Sequence, residues 1–316
     1  MKVLVTGADG FVGRYLLRAL VGRGDEVLAA VRPGGPEPAT WLPPGAGPGV
    51  EVMRLEITDP ESRRAVAARE PDAAVHLAAV ASGAEARERP VATWEVNALG
   101  TVGLLEELAA RAPRAGDLRT VVVSTGEVYG RGTGRALTED DPVRPVSPYA
   151  ASKAAAELGV AEIVRRTGLA AVVARPFPHT GVGQTTRYVV PGFIQRMLTA
   201  RAEGRTEIAT GNLEPVRDFL DVRDVVRAYL ALLDEGSPGE CYNVARGVGH
   251  SIAEIFSLLA RLMEGPLEPR PDPGLVRPAD IPHLVGDPHK LSAATGWHPT
   301  IPLDQTLREM LDAQTQ

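Results

Sequence analysis

The opening stretch MKVLVTGADGFVG restricts the fold more than any other part of the chain. A short run of strand-forming residues passes through Gly7, Gly10 and Gly13 directly into an apolar-periodic helix beginning at about Gly10. A strand, a three-glycine turn and a helix open a βαβ unit. Glycine lets the backbone turn sharply and approach a pyrophosphate, whose charge then sits at the helix N-terminus. The spacing is Gly-x-x-Gly-x-x-Gly, and Phe11 and Val12 lie inside the same cofactor-binding turn.

The same alternation of strand and helix continues through the first half of the chain. The runs EVLAAV, VEVMRLEI, DAAVHLAA, RTVVVST and LAAVVARP are short and almost wholly apolar, with helical periodicity between them. Such strands belong to a parallel sheet covered on both faces, so the fold class is α/β, a doubly wound Rossmann fold. Residues 1–175 are expected to form the NADP-binding domain and 176–316 a smaller C-terminal substrate-binding lobe, with 217–245 returning to the first domain. The Pro- and Gly-dense stretch 32–49 reads as a surface loop.

Bulk properties remove several function classes. A net charge of −6 with arginines scattered among acids gives no footprint for nucleic acid. No apolar run is long enough to span a bilayer, and the start of the chain lacks a signal-peptide pattern. The single cysteine, Cys241, has neither a disulfide partner nor metal-ligand companions, which points to a reducing compartment and the cytoplasm.

At the end of the second strand, where an acid would hold the ribose hydroxyls of NAD, the chain reads Val31-Arg32-Pro33. Arginine suits the additional phosphate of NADP, so NADP(H) is favoured over NAD(H); a solvated Arg opening a loop is the bland alternative. Asp59 closes the third strand segment and either contacts adenine or caps the next helix.

The chain uses arginine for nearly all its positive charge; Lys2, Lys153 and Lys290 are its lysines. Lys153 follows Tyr149 by four residues in YAASKAAAE, an alanine-rich helix that places both side chains on one face. An ammonium beside a phenol is expected to lower the phenol pKa toward the range useful for proton transfer, and lysine supplies a compact charge that also reaches a ribose. Ser124 and Thr125 end the preceding strand at the edge where ligands of open α/β sheets bind.

The motifs TGADGFVG, HLAA (76–79), NALGT (97–101), STGEVYG (124–130), YAASK (149–153), RDFLDVRDV (217–225) and TGWHP (295–299) resemble, in order and over nearly the whole chain, the extended short-chain dehydrogenase/reductase family in its nucleotide-sugar branch. The resemblance implies Thr125, Tyr149 and Lys153 as the catalytic trio. It implies Leu77, Ala78, Ala79 and Asn97 around the cofactor, Asn97 also supporting the active-site helix, and a homodimer. Arg217 and Arg277 match positions that grip a nucleotide diphosphate. The segments 174–184, 217–233 and 294–311 look like GDP-4-keto-6-deoxy-mannose reductases, which use a nicotinamide cofactor to make GDP-rhamnose. Pro178 departs from that pattern, standing where those relatives have Asn. The neighbouring His179 is either a substrate contact or structural.

Three rivals remain open. Glu127 sits where GDP-mannose 4,6-dehydratases keep a base; a sugar 4-epimerase would use the same trio; and a non-catalytic NADP-binding regulatory protein would have lost Tyr149 or Lys153, both of which are present.

Overall fold

The computed structural model describes residues 1–42, 47–112, 115–132, 134–275 and 281–315. Strands β1 (Lys2–Thr6), β2 (Glu26–Val31), β3 (Val50–Arg54), β4 (Ala73–His76), β5 (Arg119–Val123) and β6 (Ala171–Pro176) join the strand Cys241–Val244 in one parallel sheet. Its order is Cys241–Val244, β6, β5, β4, β1, β2, β3. The chain therefore winds outward in both directions from β1, and the reversal between β1 and β4 opens a crevice at the carboxyl ends of the strands. Thr6 is level with Ala30 on one side and His76 on the other.

Helices α1 (Phe11–Arg23), α2 (Pro60–Ala67), α3 (Gly83–Glu88), α4 (Pro90–Trp94), α5 (Thr101–Arg111) and α6 (Pro148–Thr167) lie between the strands from β1 to β6. Strand alternation divides the core in two. Val3 and Val5 face Leu16, Leu17 and Leu20 of α1, while Leu4 faces Leu104, Leu105 and Leu108 of α5 and Ile163 of α6. Each such fully buried aliphatic side chain contributes about 1.5–3 kcal/mol, which is why these helices lie flat on the sheet. Gly24 ends α1 at φ 85°, a left-handed position that favours glycine.

After β6 come α7 (Val189–Ala202), α8 (Val222–Glu235), α9 (Ile252–Leu262), α10 (His289–Thr295) and α11 (Leu303–Thr315). Phe193, Met197, Phe256, Leu259, Leu307 and Met310 build a separate core from α7, α9 and α11. Val225, Tyr229 and Leu232 of α8, with Tyr242 and Val244, pack into the first core, and so do Leu291 and Trp297. The acids of RDFLDVRDV are engaged within the fold: Asp221 holds the Arg223 guanidinium and the Thr306 hydroxyl, and the other two bind backbone amides. Asp218 accepts from the amides of Arg246, Gly247 and Gly286, and Asp224 from those of Thr300 and Ile301.

One local feature differs from the sequence reading. The loop after β2 is largely exposed, yet Trp41 is 4% exposed within the first core, its indole N–H donating to the Pro36 carbonyl at 3.2 Å. The proline-rich stretch near 270 contains a strand, Glu268–Pro271, parallel to Glu207–Thr210. Proline is tolerated there because the sheet has two strands and a free edge.

Candidate active site

The glycine turn is a close-packed cradle. Gly7 has φ 68°, and a Cβ on it would lie 3.0 Å from the Ala78 amide; a Cβ on Gly10 would lie 3.1 Å from the Gly7 carbonyl. On Gly13 it would stand 2.4 Å from the same carbonyl and 2.6 Å from that of Ala8. The turn thus touches both the start of α1 and Leu77–Ala78, just past the end of β4. Gly10 caps α1 without a side chain, and the first turn, with Phe11, Val12 and Gly13, carries no acid. Its positive end is left for an anion, so these residues fit a dinucleotide pyrophosphate.

Arg32 is exposed at the end of β2. Beside it stands Arg54, paired in register with Val31 and donating to the Arg32 carbonyl at 3.3 Å. A second guanidinium therefore marks this edge. Sequence reasoning missed it, although a base closing the neighbouring strand was the available signal. Asp59 caps α2, accepting from the amides of Glu61 and Ser62 at 3.1 Å each.

Ser147 caps α6 by accepting from the Ala150 amide, with Pro148 in the first turn, and Gly168 ends the helix at φ 76°. Tyr149 and Lys153 lie one turn apart, Tyr149 half-buried and Lys153 only 3% exposed. Thr125, at the end of β5, accepts from the Glu127 amide at 3.2 Å and shares a hydrogen bond with the Tyr149 hydroxyl. Its neighbour Ser124 is turned away, donating to Glu157 of α6. Glu157 also binds Arg175 at 2.7 Å, and Arg175 donates to the Tyr129 hydroxyl while lying over its ring. This buried group ties β5, α6 and β6 together behind the site.

The electrostatics correct one expectation. Burial pushes the Tyr149 phenol above its ordinary pKa, the Glu127 charge and Tyr188 push it further, and the Thr125 hydrogen bond opposes them. Lys153 is not among the groups that set this direction. The ammonium is itself desolvated, and burial carries its pKa down to about 8 against the pull of Glu157. Tyr149 is therefore a protonated phenol at neutral pH. Tyr188, which precedes α7, was invisible to sequence patterning because only the fold carries it toward Tyr149.

Asn97 is fully buried on a π-helical turn, Glu95–Gly100, between α4 and α5. Its Oδ1 accepts from the Val80 amide at 2.8 Å, and its Nδ2 donates to the Val80 carbonyl and to Ser152 Oγ. Ser152 in turn donates to the Tyr149 carbonyl at 2.7 Å. Such turns are frequent at functional sites. His179 Nδ1 donates to the Phe177 carbonyl at 3.0 Å, and its ring stacks on Phe11 at 6.4 Å and 5°. Burial pushes the His179 imidazole below its ordinary pKa. Pro178 offers its carbonyl to the Leu220 amide. Arg217 is half-buried on the strand Val216–Arg217, which pairs with His250–Ser251 and His283–Leu284 in a separate small sheet, and Arg277 lies outside the described residues. Among the described residues no group of His, Cys, Asp or Glu could hold a metal ion, and no helix is long and apolar enough to cross a membrane.

The family model described as GDP-mannose 4,6 dehydratase matches residues 4–310. The chain belongs to this family. Within the GDP-mannose 4,6 dehydratase family it falls among extended short-chain dehydrogenase/reductase enzymes. It is 35% identical to a GDP-6-deoxy-D-mannose reductase of Pseudomonas aeruginosa, over 98% of this chain and 96% of that one. Identity to a GDP-6-deoxy-D-talose 4-dehydrogenase of Aggregatibacter actinomycetemcomitans is 32%, over 94% and 92% of the two chains. The solved structure of RMD from Pseudomonas aeruginosa complexed with NADPH superposes with a TM-score of 0.82 at 33% identity, covering 99% of this chain and 98% of that one.

Proposed function

We propose that this protein uses NADPH to reduce the C4 keto group of a GDP-linked 4-keto-6-deoxy sugar, the reaction type of the mannose-configured reductase it resembles. The observation that carries the reading is the protonated Tyr149 phenol hydrogen-bonded to Thr125 at the mouth of the sheet crevice. A ketone becoming an alkoxide needs an acid within reach. Tyr149 gives its proton to the C4 oxygen while Thr125 holds that oxygen. Lys153 places positive charge behind the phenolate that results and offers donors to the cofactor ribose. Bound nicotinamide supplies the hydride. The glycine turn and the start of α1 would hold its pyrophosphate, with Ala79 and Asn97 in the adjoining wall. Arg217, Arg277 and His179 are assigned to the substrate, and the lone Cys241 suits a reducing cytoplasm.

One observation favours a second reading. Glu127 acts electrostatically on Tyr149, which makes its carboxylate the candidate base of a 4,6-dehydratase. A panel of GDP-, UDP- and dTDP-sugars, with and without NADPH, separates the possibilities by product mass. Gain of two hydrogens on the 4-keto-6-deoxy sugar is expected; loss of water from GDP-mannose would replace this reading with the second.

The NADPH preference is assigned to Arg32, with Arg54 beside it. Arg32→Asp exchanges attraction for repulsion, and should weaken NADPH by about 10-fold or more while changing NADH by less than about 3-fold. Equal losses would remove Arg32 from the phosphate. Arg217→Ala should raise KM for the sugar nucleotide by about 10-fold and leave the NADPH Kd unchanged, the signature of a lost charge-assisted contact. An unaltered KM would make Arg217 structural.

Val91, Trp94, Leu99 and Leu158 are 70%, 43%, 67% and 75% exposed on α4, the π turn and α6. We assign this apolar face to a homodimer. Leu158→Glu should convert a sedimenting dimer to monomer; a wild-type chain that sediments as a monomer at micromolar concentration would dismiss the assignment.

A further inference from the structure

Behind the cofactor cradle lies a closed line of hydrogen bonds that the chemistry above does not use. Thr6 is 1% exposed, His76 1% and Thr101 fully buried. Thr6 Oγ1 accepts from the amides of Leu77 and Ala78 at 3.1 Å each and lies 2.7 Å from His76 Nδ1. On the far side His76 Nε2 lies 2.9 Å from Thr101 Oγ1, which donates to the Asn97 carbonyl at 2.7 Å. The donors can be assigned from both ends. Two amides fill the Thr6 oxygen, so its single hydrogen goes to Nδ1. Thr101 has spent its hydrogen on Asn97, so Nε2 must carry one. Both routes give the same Nε2–H tautomer.

We propose that His76 is a positioning residue of the reaction, acting as a fixed spacer that couples the cofactor cradle to the turn carrying Asn97, and through it to Tyr149. The coupling is physical at each step. The amides held by Thr6 include that of Ala78, to which a Cβ on Gly7 would approach within 3.0 Å. The carbonyl held by Thr101 belongs to Asn97, whose side chain fixes Val80 and Ser152; Ser152 fixes the carbonyl of Tyr149. Imidazole suits the span because it accepts on one edge and donates on the other. It also stays neutral: burial and the Lys153 charge push His76 down to about 3, so it adds no charge opposing the ammonium. A Lys or Arg in its place would, and an aliphatic residue would leave two buried hydroxyls with lost partners.

The inference deepens the reductase reading and rests on it for rates, but its first test does not. In the 15N-labelled full-length protein, the His76 ring should show a bare Nδ1 and a protonated Nε2, unchanged between about pH 5 and 8 where an ordinary His titrates. The opposite tautomer, or titration in that range, would overturn the proposal. Thr101→Val removes the hydroxyl at nearly constant shape. It should lower kcat about 10-fold with KM for the sugar nucleotide changed less than 2-fold, whereas Thr101→Ser should restore the wild-type rate. Thr6→Val should instead weaken NADPH about 10-fold, and, with kcat/KM for NADPH read in all three variants, the double valine variant should lose less than the product of the two single losses. Thr101→Ser as slow as Thr101→Val, or strictly multiplicative losses, would leave His76 a packing residue. If Thr101→Val fails to fold, the ring tautomer and the serine variant still decide. A wild-type protein inactive on every GDP-4-keto sugar but showing the expected tautomer and the Thr6→Val loss of NADPH affinity would sink the reaction assignment alone.

Discussion

Tyr149→Phe is expected to bind NADPH and sugar nucleotide almost normally and to lose roughly 100-fold or more in kcat, the usual worth of a positioned general acid. The substitution deletes one oxygen from a half-buried ring. Thr125 keeps its bond to the Glu127 amide, so the end of β5 is not released. What disappears is the proton the C4 oxygen must receive. Because burial and Glu127 raise the Tyr149 pKa, the phenol enters reduction in its acid form and has no need to ionise first. The reverse reaction, oxidation of the C4 alcohol, needs the phenolate and should therefore gain rate toward alkaline pH while reduction does not. Stopped-flow NADPH oxidation checks the first statement and steady-state rates in both directions the second. A phenylalanine variant within about 3-fold of wild type would move the acid elsewhere, with Tyr188 the next residue to replace.

The second large effect concerns Lys153. Lys153→Met should cut kcat by about 100-fold and weaken NADPH as well, because one side chain serves both the phenolate and the ribose. Lys153→Arg is more discriminating, since charge survives and the compact shape does not; a loss of about 10-fold or more in kcat is expected. The pH profile carries a sign. Lys153 titrates at about 8, below the ordinary 10.5, so wild-type reduction should fall as pH rises through 8 and the ammonium is lost. For stability the sign is opposite. The unfolded chain holds that proton up to about 10.5, so burying the charge costs stability below pH 8, and the cost is relieved as pH rises from 8 toward 10.5. In Lys153→Arg the guanidinium stays charged throughout, so the alkaline fall near pH 8 should vanish. Full activity with an unchanged profile would mean that neither the shape nor the titration of Lys153 matters.

Elements whose determinants are close in sequence are legible from the residues alone. The glycine turn, the parallel strands and the Tyr149–Lys153 face are local patterns, each set by backbone freedom, apolar runs or helical spacing. The direction of the Tyr149 pKa is misread from sequence for the complementary reason: desolvation depends on what the whole fold packs around the phenol, and Glu127 and Tyr188 arrive from other elements. Trp41 reads as loop because its neighbours are Pro and Gly, yet a pocket in the first core takes the indole. Arg54 stands beside Arg32 only because β2 and β3 pair in register. His76 and Thr101 are 25 residues apart, and nothing between them announces the bond.

The passage from β2 to β3, which among the described residues holds two 3-10 turns, Pro38–Thr40 and Gly47–Gly49, and no α-helix, also bears on how such an enzyme can change. Arg32 opens a segment in which Trp41 is the one buried side chain among the described residues before Val50. Most positions around it are exposed, although Gly35 approaches Asp9 of the glycine turn. On the proposed assignment of Arg32, choice of electron donor and choice of sugar would rest on separate parts of the chain. A lineage, or a combinatorial library confined to residues 32–40 with Trp41 retained, could exchange one dinucleotide for the other while the carbohydrate chemistry is inherited intact.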